Sequence, residues 1–132
     1  MGRNLSPRSE DGQAAAEMAL VLPILAAILL AIAQFGVLFN NYITLTDATR
    51  TGARKAAVSR FSGDQGTAAV AAVRSAASNL TPANLDVSVT STNWNVPGSD
   101  VTVTATYPYD LNILGWVIQS GTLTSTTKER LE

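Results

Sequence analysis

The chemistry of Glu17 is forced by its neighbours. Its carboxylate stands directly before an apolar run that begins at Met18, and a carboxylate at such an edge is costly to desolvate unless it finds a partner. A plainer role is also open, in which Glu17 lies near lipid headgroups and complements the positive end of a helix. Elsewhere the reactive inventory is thin. The 132 residues include no cysteine and no histidine, which removes disulfides, thiolate chemistry, cysteine-type zinc sites and the commonest general base. Asp64, Asp86, Asp100 and Asp110 fall in expected turns or strand edges with no convergent spacing, and turn aspartates are mostly structural. No Gly-rich phosphate cradle is present. We therefore expect no enzyme, no cofactor and no bound metal. A net charge of −1 without a basic cluster also argues against a nucleic-acid partner.

Charged residues make up only 14% of the chain, and none occurs between Glu17 and Asp47. The stretch Met18–Phe39 is almost wholly apolar, interrupted near its end by Gln34 and Gly36. At about 1.5 Å per residue it makes about 33 Å of helix, enough for a bilayer core of roughly 30 Å. Asn40, Asn41 and Tyr42 supply a polar and aromatic edge suited to the interface. The spacing predicts a membrane span over 18–39. Pro23 lies inside it and should bend the helix, an irregularity that membrane helices tolerate and that subunit packing can use.

Residues 1–12 are polar, and we read them as a disordered leader. Past the span, helical character continues to about Phe61, with Arg50, Arg54, Lys55 and Arg60 on the polar side. Ala48, Gly52 and Ala56 recur every four residues, as do Thr49, Ala53 and Ala57. Such spacing lines up small side chains on one face and lets another element approach closely. The protein's own sheet is the expected neighbour of this stripe, ahead of a second subunit. A continuous helix from Gln13 to Arg60 would be about 72 Å long.

The remainder reads as a small domain over 62–132. Ser62 to Gly66 form a turn, Thr67 caps an Ala-rich helix to about Leu80, and Ala71, Arg74 and Ser78 mark its polar side. The period then changes to two. Leu85, Val87 and Val89 define one strand, Val101, Val103, Ala105 and Tyr107 a second that Pro108 ends, and Thr122 to Thr127 a third. Asn112 to Ile118 are expected to hold a short helical turn, and Trp94 and Trp116 to pack in core or loop. The fold class is α+β: a long N-terminal transmembrane helix, then one further helix and a three-stranded sheet, antiparallel on its connection lengths.

The stretch from Asp11 to Pro23, Asp-Gly-Gln-Ala-Ala-Ala-Glu-Met-Ala-Leu-Val-Leu-Pro, resembles the amino-terminal signature of the TadE-like family, the pseudopilins or minor pilins of bacterial tight-adherence pilus assembly. Gln34-Phe35-Gly36 is similar to the family's Glu-Phe-Gly, and Ala48 to Arg54 to its Ala-Ala-Arg-Glu-Gly-Ala-Arg. Gln34 and Thr51 stand where that pattern is acidic. A fainter likeness covers 101–132. The resemblance implies cleavage by a prepilin peptidase between Gly12 and Gln13, and pairing of Glu17 with the new amine of Gln13 on an adjacent subunit. It further implies a location in the cytoplasmic membrane with the C-terminal domain outside, other pilin subunits and the pilus assembly machinery as partners, and passage into a cell-surface pilus.

Two other readings stay open. Ala31-Ile32-Ala33 before Gln34 fits the small-x-small rule of a secretory signal, although the preceding segment is net acidic. A plain single-pass anchored binding domain is the other. Here the basic residues after the span would hold the domain in the cytoplasm by the positive-inside rule.

Overall fold

The computed structural model describes residues 8–59, 63–113 and 115–132. Helix α1 (Arg8–Val58) has 51 residues, or about 76 Å at the usual helical rise. It begins before the expected Gln13, so residues 8–12 are helical where a disordered leader was expected; residues 1–7, Arg60, Phe61 and Ser62 lie outside the described residues. Pro23 sits within the helix, which continues past it without a break.

After α1 come α2 (Gln65–Ala76), a short 3-10 turn at Pro82–Asn84, and the strands β1 (Asp86–Ser91), β2 (Asp100–Ile113) and β3 (Trp116–Arg130). The sheet is antiparallel in the order β1-β2-β3, so the α+β architecture of the sequence reading stands. Asp64, not Thr67, takes the position before α2, and its side chain makes no cap bond. Ala71, Arg74 and Ser78 are exposed as expected.

The strands depart more from expectation. Pro108 does not end β2 but pairs with Thr122. Beyond Thr106, β2 has β3 on one side only. An open edge admits proline because no ladder bond is required there. The expected helical turn over 112–118 is replaced by a hairpin closed by the pair Ile113 and Trp116. Gly115 has φ +87°, a left-handed conformation that costs glycine little. The third strand accordingly runs over Trp116–Arg130, well beyond both ends of Thr122 to Thr127.

Two clusters make the core. Leu45, Ala48 and Ala53 of α1 meet Val73, Ala77, Leu80, Leu85, Val103 and Ala105. Toward the helix end, Ala56 and Ala57 meet Ala69, Val101 and Leu131, with Trp94 packed against them. Trp94 thus packs as expected. Trp116 does not: it is 80% exposed, because the hairpin carries it past the end of either cluster.

The small residues of α1 set how closely the layers approach. Gly52 faces α2: a Cβ there would overlap Val73 Cγ2 and lie 3.1 Å from the Ala69 carbonyl oxygen. The neighbour at the centre of the stripe is therefore α2, where the sheet had been expected. On the adjoining face the Thr49 hydroxyl lies 2.9 Å from the Leu45 carbonyl and 2.8 Å from Ser125 Oγ on β3. Its proton goes to the carbonyl, which leaves its oxygen to accept the Ser125 proton. Both groups are buried, so each satisfies what the other would otherwise leave open.

At the sheet margin Lys128 Nζ lies 2.8 Å from Asp100 Oδ2. The hydrogen bond from Lys128, aided by the charges of Lys128 and Arg130, outweighs desolvation and holds the Asp100 carboxyl below its ordinary 3.8.

Gly52→Ala is expected to lower stability by about 1–3 kcal/mol despite the better helix propensity of alanine, through overpacking against α2. Chemical denaturation checks this, and Val73→Ala should cost less when combined with Gly52→Ala than it does alone. For Asp100, a depressed folded pKa means a stabilising contribution present above the unfolded pKa and lost as pH falls through the folded one. Lys128→Gln should raise the Asp100 midpoint toward its ordinary value in an NMR titration.

Candidate functional site

The residues singled out in the sequence all lie on α1, but at two ends of it. Gly12, Gln13 and Glu17 share its first turns, all exposed. Four-residue spacing brings Gln13 and Glu17 together on one face, and Gln13 Nε2 donates to Glu17 Oε1 at 3.1 Å. The Glu17 carboxylate thus meets a neutral amide rather than a cation. Among the described residues, nothing lies within 4 Å of where a Cβ on Gly12 would stand.

Ala48, Gly52 and Ala56 stand about 47–59 Å further along the axis, measured from Glu17 by the helical rise. All three are buried inside the small domain. The structure does not bring them to Glu17. Pro23 lies between, one turn into the apolar stretch.

Between the two ends the helix surface is hydrocarbon. Leu20 is 73% exposed and Ile32 63%, and bulky apolar residues point outward on every side. An 18-residue window here has mean hydropathy 2.5, with none of its residues buried among the described residues. A helix apolar all round has no stable place in water unless other apolar matter covers it. This is the membrane-spanning character expected from the sequence. Arg50, Arg54 and Lys55 are exposed beyond it.

Gln34 is the position whose partner the sequence concealed. Its side-chain amide donates to the Asn112 carbonyl at 2.9 Å. This anchors the β2–β3 hairpin to α1 at a register irregularity between Leu111 and Asn112. Ala31, Gln34, Leu38 and Asn41 are all partly buried, and their alternating spacing of three and four is a packing seam. A polar residue inside an apolar run was the available signal; its partner, far away in sequence, was not readable. Among the described residues, no group of three or more His, Cys, Asp or Glu side chains is placed to hold a metal ion.

A long, outwardly apolar helix that carries a small α+β head fits a pilin-like protein with a membrane anchor. Residues 12–54 match the model of the family described as TadE-like protein, the family that the amino-terminal residues resemble. The matched region opens at Gly12, contains the whole apolar stretch and closes at Arg54, before α2 and the sheet. No curated protein and no solved structure matches the chain.

Gln34→Leu should remove the tie to Asn112 and leave the domain core intact. Hydrogen exchange in detergent micelles is expected to accelerate roughly two- to tenfold at Ile113 and Trp116, the worth of one net hydrogen bond, with Val101 and Val103 unchanged.

Proposed function

We propose that this protein is a TadE-like minor pilin or pseudopilin that takes part in assembling a bacterial tight-adherence, type IV-like pilus. In this reading Met18–Phe39 holds the precursor in the cytoplasmic membrane with the α+β head outside. A prepilin peptidase cuts between Gly12 and Gln13, and the mature helix passes from lipid into a bundle of pilin subunits. The work is mechanical, without chemistry of the chain's own. The observation that carries this reading is the family match over residues 12–54, which opens at Gly12 and takes in Glu17 together with an apolar helix surface that the other described residues leave exposed.

Gly12 and Gln13 are helical in the free chain, so a protease must open that turn, and glycine is the ordinary residue that resists opening least. Cleavage there would create an amine on Gln13. For the Glu17 carboxylate, an amine of a neighbouring subunit is a stronger partner than the Gln13 side-chain amide it meets now. Lipid tails and a helical bundle solvate Leu and Ile alike, so pairing at Glu17 and close packing can decide the transfer. A second reading, a single-pass anchor with the head in the cytoplasm, is favoured by the exposed Arg50, Arg54 and Lys55 after the span.

Co-expression with a prepilin peptidase should yield a chain beginning at Gln13 by intact mass, and Gly12→Arg should abolish that product. A chain beginning at Gln34 would mark a secretory signal instead. An uncut chain whose head resists external protease in intact spheroplasts would establish the cytoplasmic anchor. Glu17→Gln should leave membrane insertion unchanged and weaken co-purification with other pilins; unchanged assembly would refute the pairing.

A further inference from the structure

The β2–β3 hairpin ends in apolar residues that no other part of the described chain covers. Trp116 is 80% exposed, Val117 57% and Ile118 63%, values like those of Phe35 and Val37 on the neighbouring helix, each 61%. No charged residue occurs between Asp110 and Lys128. An exposed apolar cluster of this kind marks a contact surface.

Its height along α1 says what that contact is. Gln34 holds the Asn112 carbonyl, and a shallow cavity is shared by Ala31, Gln34 and Phe35 with Leu111, Ile113 and Ile118. The hairpin tip therefore lies beside residues 31–35, roughly 6–12 Å short of Phe39 along the helix. A hydrocarbon core of roughly 30 Å that starts at Met18 ends near Val37 or Leu38. If the span sits in the bilayer, its attached hairpin cannot stay clear of it.

We propose that the hairpin tip is a second membrane contact, in which Trp116, Val117 and Ile118 enter the headgroup–acyl boundary beside the span. This rests on the reading of 18–39 as a span, under "Proposed function". The boundary, rather than the bilayer centre, suits the tip for two reasons. Tryptophan favours that layer, where its ring is in hydrocarbon and its N–H meets polar groups. The hairpin also has an open edge on β2 beyond Thr106, and unpaired backbone groups are not tolerated in the lipid interior. The Asn112 carbonyl, beside the register irregularity, is satisfied by Gln34. Two contacts, one helix and one hairpin, would fix the tilt of the head on the membrane.

The test uses the full chain in vesicles of phosphatidylcholine and phosphatidylglycerol. The protein has two tryptophans, so Trp94→Phe leaves Trp116 as sole reporter and Trp116→Phe leaves Trp94. Trp116 emission should shift to the blue and lose most of its intensity to phosphatidylcholine brominated near the glycerol end of its chains, while resisting acrylamide. Trp94, packed at the opposite end of the sheet against the cluster of Ala56 and Leu131, should be unaffected by the brominated lipid. Should Trp94→Phe disturb folding, the difference between wild type and Trp116→Phe reports the same quantity. Alkaline carbonate extraction of the same vesicles separates the two readings. A chain that resists extraction while acrylamide alone quenches Trp116 overturns the hairpin contact and leaves the span standing. Shielding from both quenchers would mean a second copy covers the tip, which also overturns it. A chain washed off by carbonate refutes the span, and the hairpin contact with it.

Discussion

Everything in this molecule depends on one helix meeting two different surroundings along its length. The first part of α1 presents Leu, Ile, Val and Phe in all directions, which only a hydrocarbon medium or other helices can cover. The last part, from Leu45 to Ala57, is built of residues small enough for a second helix and a sheet to close upon it. Because the helix is continuous, what happens at one end is mechanically transmitted to the other. The head cannot be positioned independently of the stalk.

The packing at the head end follows from small volume. A core rich in alanine buries little hydrocarbon per residue, so it gains mainly by bringing backbones near. Gly52 is the extreme case, with Val73 seated where a side chain would be. Where the layers could not be closed by hydrocarbon alone, Thr49 and Ser125 meet in the interior and satisfy each other. The end of β3 is fastened as well: Leu131 N donates to the Ser99 carbonyl and the Leu131 carbonyl accepts from Gly98 N, both at 2.8 Å. The head is thus closed at the far end of α1, while the hairpin reaches back along the stalk toward Gln34.

That reach is a matter of matched lengths. From Gln34 to Ala57 the helix rises about 35 Å, and from Val101 to Asn112 an extended strand covers about 36 Å. The two therefore run side by side from the core to the apolar stretch. The far end of the long hairpin sets the exposed Trp116, Val117 and Ile118 beside the apolar part of the stalk. Strand β2 serves both core and stalk, since Val101, Val103 and Ala105 are buried while Leu111 and Ile113 lie near the stalk.

The residue pattern by itself determined the elements whose signals are local. Hydrophobic length identified a helix long and apolar enough to cross a membrane, the four-residue recurrence of Ala48, Gly52 and Ala56 identified a packing face, and alternation at Leu85–Val89 and Val101–Tyr107 identified two strands. The stretch from Asp11 to Pro23 carried the resemblance to the family whose model matches residues 12–54. What lay beyond local reading was decided by pairing. Proline usually stops a strand, but Pro108 is accepted because β1 begins only at Asp86, opposite Thr106, and leaves the edge beyond it open. The helical turn expected over 112–118 gave way to a hairpin, with Gly115 at φ +87°, because β3 had β2 to pair with. Trp116 left the core, and Gln34 found Asn112, for the same reason. Hydrophobic period reports which way a side chain can face, whereas the partner that meets it depends on where distant strands end, and only the folded chain sets that.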